Sequence, residues 1–290
     1  MGRDGAARDD APGGISLPPG RRVDLPGRGT TYVRELAGPR PTAPTVVLLH
    51  GLGVDADLNW FTSYSALARR YHVVAIDHRG HGRGIPTTRF RLADCADDVA
   101  ALCAVLGVDR VIPVGYSMGG PIAQLVWYRH RDLVAGLVLC ATAGRFTRAA
   151  GRQFASRVIP GLAAVARMAP STLPPNPIVR QLVAARMNDP GVRQWVQQRE
   201  RRSDPRSVLE AAAAIGRFSS LDWLTAVDVP TAVVVTQFDR LVPKTRQEEL
   251  VRLIPTATEH RVLGDHAVCV TRPDLFLPKL LDGVAAVAGR

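Results

Sequence analysis

The sequence predicts an α/β fold: a doubly wound, mostly parallel eight-stranded sheet carrying a helical insertion. Three observations lead to it. Short apolar runs of strand length alternate with longer runs of helical period, and buried strands alternating with helices mean a parallel sheet covered on both faces. Between Gly144 and Leu224 the alternation stops, and prolines stand at 160, 170, 174, 175, 177, 190 and 205. The stretch "GYSMGG" (Gly115–Gly120) crowds glycines about one serine, at the point where a strand gives way to a helix.

Residues 1–20 hold three Asp, five Gly and three Pro without an apolar h-region, and read as a frayed leader rather than a signal peptide. Arg22–Asp24 and Thr31–Glu35 read as short strands about the turn "LPGRG". "TVVLL" (Thr45–Leu49) and "HVVAI" (His72–Ile76) are continuous apolar runs, hence buried strands, with a helix expected over Trp60–Arg69 between them. Leu92–Leu106 has a helical period, Val111–Gly115 is a strand, Met118–His130 a helix and Leu133–Cys140 a strand. Beyond the insertion come a strand at Thr231–Thr236, a helix at Lys244–Leu253, a strand at His260–Leu263 and a last helix from Pro273. The core therefore takes residues 21–144 and 225–290, and residues 145–224 form a helical cap over the carboxyl ends of the strands, where such sheets bind ligands.

Composition limits the function classes. The 290 residues are 46% hydrophobic, enough for a sizeable core. No apolar run approaches the ~18 residues that span a bilayer. The net charge is +11, yet 35 of the 37 basic residues are arginines, as a GC-rich genome would encode, and no nucleic-acid motif accompanies them. Nucleic acid is therefore not an expected partner. Cys95, Cys103, Cys140 and Cys269 lack CxxC spacing and read as small buried hydrophobes in a reducing cytoplasm.

Chemistry gathers at the serine. A strand-to-helix turn this sharp forces its central residue into a strained backbone, and glycines at 115 and 119 remove the collisions that side chains would make. Ser117 is lifted above the sheet as a nucleophile. A serine hydroxyl needs a base, and that base an orienting carboxylate, in the chain order Ser, acid, His. His266 follows the last strand in "LGDHAVCV" and is the expected base, whereas His260 begins that strand and reads as structural. Asp239, just past the run "TAVVVT", is the expected acid. Asp228 lies at the wrong end of its strand, and Asp265 is too near His266 in sequence to reach the ring edge. The amides of Met118 and Leu52, the latter in the "HGLG" loop after Thr45–Leu49, are the expected oxyanion donors. His50 reads as a brace for that loop.

"LLHGLG", "DHRGHGRG", "GYSMGG", "FDRLVP" and "GDHAV" stand in the order found in α/β-hydrolase-fold serine hydrolases. The chain resembles that family from about Thr31 to Leu281. In relatives the "DxRGxGxS" element braces the loop after the fourth strand; Asp77, Arg79, Gly80 and Gly82 match it here, and Gly84 replaces the serine. His78 and His81 in that loop read as structural. The resemblance implies hydrolysis of a carboxylic ester of short to medium acyl chain through an acyl-enzyme, without metal or cofactor. The same triad serves C–C bond hydrolases, thioesterases and a lyase acting on anionic substrates, and the fold also carries non-catalytic ligand-binding proteins. Relatives that open epoxides or remove halides use an aspartate where Ser117 stands. The single-glycine "HGLG" goes in the family with ordinary esters.

The cap holds 13 arginines against five acidic residues, +8 of the total charge. Such a surface would weakly attract an anionic substrate or membrane; the competing reading is a solvated face, with "QQRERRSDPR" (Gln197–Arg206) a surface turn between helices. Trp60, Phe61, Trp195 and Trp223 could line an acyl pocket, with core packing the favoured role for at least half of them.

Overall fold

The apolar runs assemble as their lengths demand. In the computed structural model, which describes residues 15–147, 190–200 and 202–289, they form one eight-stranded sheet: β1 (Gly20–Leu25), β2 (Gly29–Leu36), β3 (Thr45–Leu49), β4 (His72–Ile76), β5 (Val111–Tyr116), β6 (Leu137–Cys140), β7 (Thr231–Thr236) and β8 (Ala257–Val262). The spatial order is β1-β2-β4-β3-β5-β6-β7-β8. β1 and β2 pair antiparallel, as does β2 with β4; every later pair is parallel. The order reverses about β3, which lies between β4 and β5, and the crevice of a doubly wound sheet opens at such a reversal.

Successive strand residues face opposite sides, and both sides are apolar because helices cover both. On one face Val47, Leu49, Val74 and Ile76 pack beneath α3 (Leu92–Leu106) and α4 (Gly119–Arg129), with Leu102, Ile122 and Trp127. On the other, Val46, Leu48, Val73 and Val114 meet α1 (Ala56–Trp60), α2 (Tyr64–Ala68) and the C-terminal helix, with Trp60, Leu67 and Phe276. The remaining described helices are α5 (Pro190–Glu200), α6 (Pro205–Arg217), α7 (Lys244–Leu253), α8 (Val268–Thr271) and α9 (Pro273–Ala288).

The expected elements are corrected at several ends. The single helix expected over Trp60–Arg69 is two: α1 starts earlier because the Asp55 side chain accepts the Leu58 amide at 2.8 Å as its N-cap, and a turn closed by Ser63 N to Trp60 O separates α2. The strand expected from Leu133 begins at Leu137, since Arg131–Leu133 is a 3₁₀ turn. β8 starts at Ala257, three residues before its expected beginning; as an edge strand it is half-exposed and carries no apolar run to announce it.

The cap leaves and rejoins the core at one place: Arg145 bridges Ser219, and the Ser220 amide donates to Gly144 O at 2.9 Å. The cap helices expected within residues 148–189 lie outside the described residues. "QQRERRSDPR" is not a surface turn throughout. Its first four residues complete α5, and Arg199 is 2% exposed, ion-paired with Asp55 at 2.8 Å and with Asp57. Arg34 binds the same Asp57 through both carboxylate oxygens at 2.8 Å. Asp57's burial works against its charge, but the hydrogen bonds from Arg34 and the positive charge of Arg199 outweigh that and hold it ionised below the usual carboxylate range. Removing one partner from a buried ion cluster strands the others. Arg199→Met is expected to lower the unfolding free energy by about 3 kcal/mol, read by urea denaturation followed by circular dichroism; a change near zero would show that α5 is not anchored by this pair.

Candidate active site

The turn at Ser117 has the strain that its glycines foretell. Ser117 sits at φ 52°, a left-handed conformation that a non-glycine residue rarely holds. A Cβ at position 115 would run into the Gly119 carbonyl, and one at 119 into Leu49 O on β3. The loop after β6 pins the turn: Ser117 N donates to Cys140 O at 3.0 Å, and Thr142 Oγ1 donates to Ser117 O at 2.7 Å.

The three residues expected to act together do meet. Ser117 Oγ lies 2.9 Å from His266 Nε2, and His266 Nδ1 lies 2.6 Å from Asp239 Oδ2. Because a carboxylate only accepts, Nδ1 carries the proton and Nε2 is left to receive the serine hydroxyl. All three side chains are buried. Asp239 is held on both oxygens: Oδ1 accepts the amides of Leu241 and Val242 at 2.9 and 2.8 Å, and Oδ2 accepts Thr236 Oγ1 at 2.9 Å. Gln247 on α7 braces this arrangement, donating to Thr236 Oγ1 at 2.7 Å and to Val242 O at 2.8 Å. Sequence reasoning missed Thr236 and Gln247; "TQFD" offered a hydroxyl three residues before the acid, but Gln247 gave no local sign. Asp228 is at the amino end of β7, bonded to Trp127 Nε1 at 3.0 Å, and Asp265 caps the Ala267 amide at 2.9 Å.

Beside the serine runs the loop after β3. A Cβ at Gly51 would lie 3.5 Å from Ser117 Cβ, so the backbone passes Ser117 at van der Waals distance. Gly51 N donates to Asn59 Oδ1 at 2.9 Å. His50 braces the loop: its Nδ1 donates to Gly51 O at 2.8 Å, and its Nε2 accepts the His78 amide at 2.9 Å. Leu52 follows Gly51 and is partly buried against the core; Met118, fully buried, stands between Ser117 and the first residue of α4.

The Asp77 carboxyl accepts the amides of Ala56 and Arg83, both at 2.9 Å. Burial first, then the neighbouring charges of Asp55 and Asp57, raise its pKa to about 7.

Gly51, Val54, Leu58, Asn59, Tyr116 and Cys269 are among the walls of a small cavity reaching Ser117 and His266, whose open space is about 20 Å³. The four aromatic candidates do not line it. Trp60 packs edge-on against Tyr116, and Trp223 stacks on Trp127 beside α4. Trp195 and Phe61 meet one another behind Val54 and Leu58.

Residues 44–273 match the family model described as the alpha/beta hydrolase fold. The chain belongs to the α/β-hydrolase fold family. It is 32% identical over 254 residues to a Rhizobium rhizogenes protein named "Putative carbamate hydrolase RutD", an alignment spanning 83% of this chain and 93% of that one. A protein of the same name from Yersinia enterocolitica is 28% identical over 244 residues, 81% of this chain and 85% of its own. Among solved structures, the fold is shared with a thermophilic esterase from Thermogutta terrifontis (TM-score 0.74, 24% identity, 93% of this chain and 99% of that one). It is shared too with the enol-lactonase from Burkholderia xenovorans (TM-score 0.75, 22% identity, 91% and 100%). With this family and these relatives the chain is a hydrolase. Among its described residues no helix is long and apolar enough to cross a membrane.

In this α/β hydrolase the histidines flanking the loop are held neutral. Burial, reinforced by the charge of neighbouring His81, lowers His78 to about 3, and burial lowers His81 to about 4. Burial also carries His50 well below the usual imidazole range. With an unfolded value of about 6.5, the unfolded chain takes up these protons first. Their contribution is complete above that pH and is lost as pH falls toward 4 and then 3. Asp77 acts with the opposite sign, since its raised pKa favours the fold as pH falls below about 7. Among the described residues neither ring nitrogen of His78 has a hydrogen-bond partner, so the ring can be exchanged without breaking one. His78→Phe is expected to reduce the fall in urea midpoint between pH 7.5 and pH 4.5, and equal falls in both proteins would refute the assignment.

Proposed function

We propose that this hydrolase uses Ser117 as nucleophile, His266 as general base and acid, and Asp239 as the orienting carboxylate to cleave carboxylic esters of short acyl chain. The observation that carries the reading is the unbroken chain of contacts from Ser117 Oγ to His266 to Asp239, at 2.9 and 2.6 Å, on a strained strand-to-helix turn. His266 Nε2 removes the hydroxyl proton as Ser117 Oγ attacks the carbonyl carbon. The amides of Leu52 and Met118 receive the developing oxyanion, each such donor being worth about 10² to 10³ in rate. His266 then gives its proton to the departing alcohol, leaving an acyl-enzyme that water clears by the same steps reversed. None of these steps calls for a metal or a cofactor. The narrow cavity favours a short acyl group.

The relatives named as carbamate hydrolases favour a second reading, in which the same serine attacks a carbamate carbonyl. Arg199 and Arg206 of the cap are engaged with carboxylates, Arg199 with Asp55 and Asp57 and Arg206 with Glu210 at 3.2 Å, so these two are not the charges that would draw an anionic substrate.

Ser117→Ala is expected to abolish labelling by a fluorophosphonate while the circular dichroism spectrum is unchanged; labelling that survives would remove Ser117 from the reaction. Asp239→Asn should lower kcat/KM for p-nitrophenyl acetate by about 10³ to 10⁴, because the imidazole loses its tautomer and counter-charge. A loss below about tenfold would place the acid elsewhere. Across p-nitrophenyl acetate to dodecanoate, with a p-nitrophenyl carbamate beside them, the short esters should be cleaved fastest. A labelled Ser117 with every ester inert and the carbamate cleaved would reverse the order of the two readings.

A further inference from the structure

Asn59, in the last turn of α1, has its two amide atoms in different circumstances. Its side chain is buried, the residue being 4% exposed. Oδ1 accepts the Gly51 amide at 2.9 Å; because that partner can only donate, the amide cannot be flipped, and Nδ2 is a donor of known position. Among the described residues Nδ2 is buried without a hydrogen-bond partner. Leaving a buried N–H unpaired costs stability, and native structures keep such a group chiefly where something else completes it.

What completes it is suggested by the cavity. Asn59 lines it together with Ser117 and His266, and Val54, Leu58 and Val270 contribute apolar surface. The Tyr116 hydroxyl, also on the wall, is already spent on His266 O at 2.9 Å. Asn59 therefore stands on a largely apolar wall with unused donor capacity at Nδ2. The acyl group stays bonded to Ser117 through half of the cycle, so it is the part of the substrate held against this wall.

We infer that Asn59 is a substrate-binding residue whose Nδ2 donates a hydrogen bond to an acceptor oxygen on the acyl group, so that short acyl groups bearing an ether, keto or similar oxygen near the carbonyl are selected over their all-carbon counterparts. The inference rests on the acyl-enzyme reading above. It separates two roles for one side chain: Oδ1 holds the loop, and Nδ2 reads the substrate.

The test uses matched pairs that exchange one CH₂ for oxygen: p-nitrophenyl methoxyacetate against butanoate, and a methoxymethyl against a propyl phosphonofluoridate, each rate divided by that for hydroxide. The phosphonate pair needs only a reactive Ser117 and reports even if no ester turns over. The wild-type protein is expected to favour the oxygen-bearing member of each pair by about tenfold, the scale of one buried hydrogen bond. Asn59→Leu removes both amide atoms; Asn59→Asp keeps an acceptor for Gly51 N and removes the donor. In both variants the preference should fall to about one, whatever happens to the common rate, and Asn59→Asp answers the question should the leucine variant fail to fold. A wild-type preference near one in the phosphonate pair, or a preference that survives in the variants, would overturn the inference and leave Asn59 as a brace only. Inert esters with a discriminating phosphonate pair would instead sink the ester assignment and uphold Asn59.

Discussion

A chain that passes from strand to helix across a single residue has no room for side chains next to the turn, and Ser117 is held in such a turn at φ 52°. The other parts of the site are placed by what this demands. Gly119 must lie against the carbonyl of Leu49, which brings β3 and its following loop beside the serine. Cys140 and Thr142 secure the serine's own amide and carbonyl, which fixes β6 alongside. The strain is tolerable because rigid neighbours over-determine the conformation, and the reward is a hydroxyl raised clear of the sheet within reach of His266.

Orientation beyond the serine is supplied by hydrogen bonds rather than by packing. Asp239 accepts two backbone amides and a hydroxyl before it meets the imidazole, so its carboxylate can turn in no other direction. His50 ties the loops after β3 and β4 together through both ring nitrogens, a pattern open only to the neutral ring. Burial enforces that neutrality, and the His78 amide, donating to Nε2, puts the remaining proton on Nδ1.

The cap is joined to this machinery through charge. Arg199 reaches from α5 to Asp55 and Asp57, and Asp55 is the N-cap of the short helix that carries Leu58 and Asn59 into the cavity wall. Cap position and pocket shape are thereby linked through one buried guanidinium. Both of these contacts are made by one guanidinium nitrogen, Arg199 Nη1, which lies between the two carboxylates.

What the sequence determined by itself is whatever short-range sterics and local chemistry require: the buried runs of β3, β4 and β7, the glycines about Ser117, and the order of serine, acid and histidine at strand ends. Those constraints act between residues a few positions apart, so they leave a readable pattern. Only the tertiary structure decided the rest. Arg199 looked like one more solvated charge in an arginine-rich stretch, because nothing local distinguishes it from its neighbours; its partner Asp57 lies 142 residues away. Gln247, in an ordinary amphipathic helix, becomes the brace of Asp239 only when α7 docks beside β7. Asn59 is one polar residue in an amphipathic turn until Gly51 fixes its amide against the cavity. Trp60 and Trp223, open between a pocket wall and the core, went to the core and to α4, since large apolar rings are drawn to whichever interface buries them most, and that depends on the whole packing. Burial gives such residues their roles, and burial is a property of the folded chain rather than of the neighbours in its sequence.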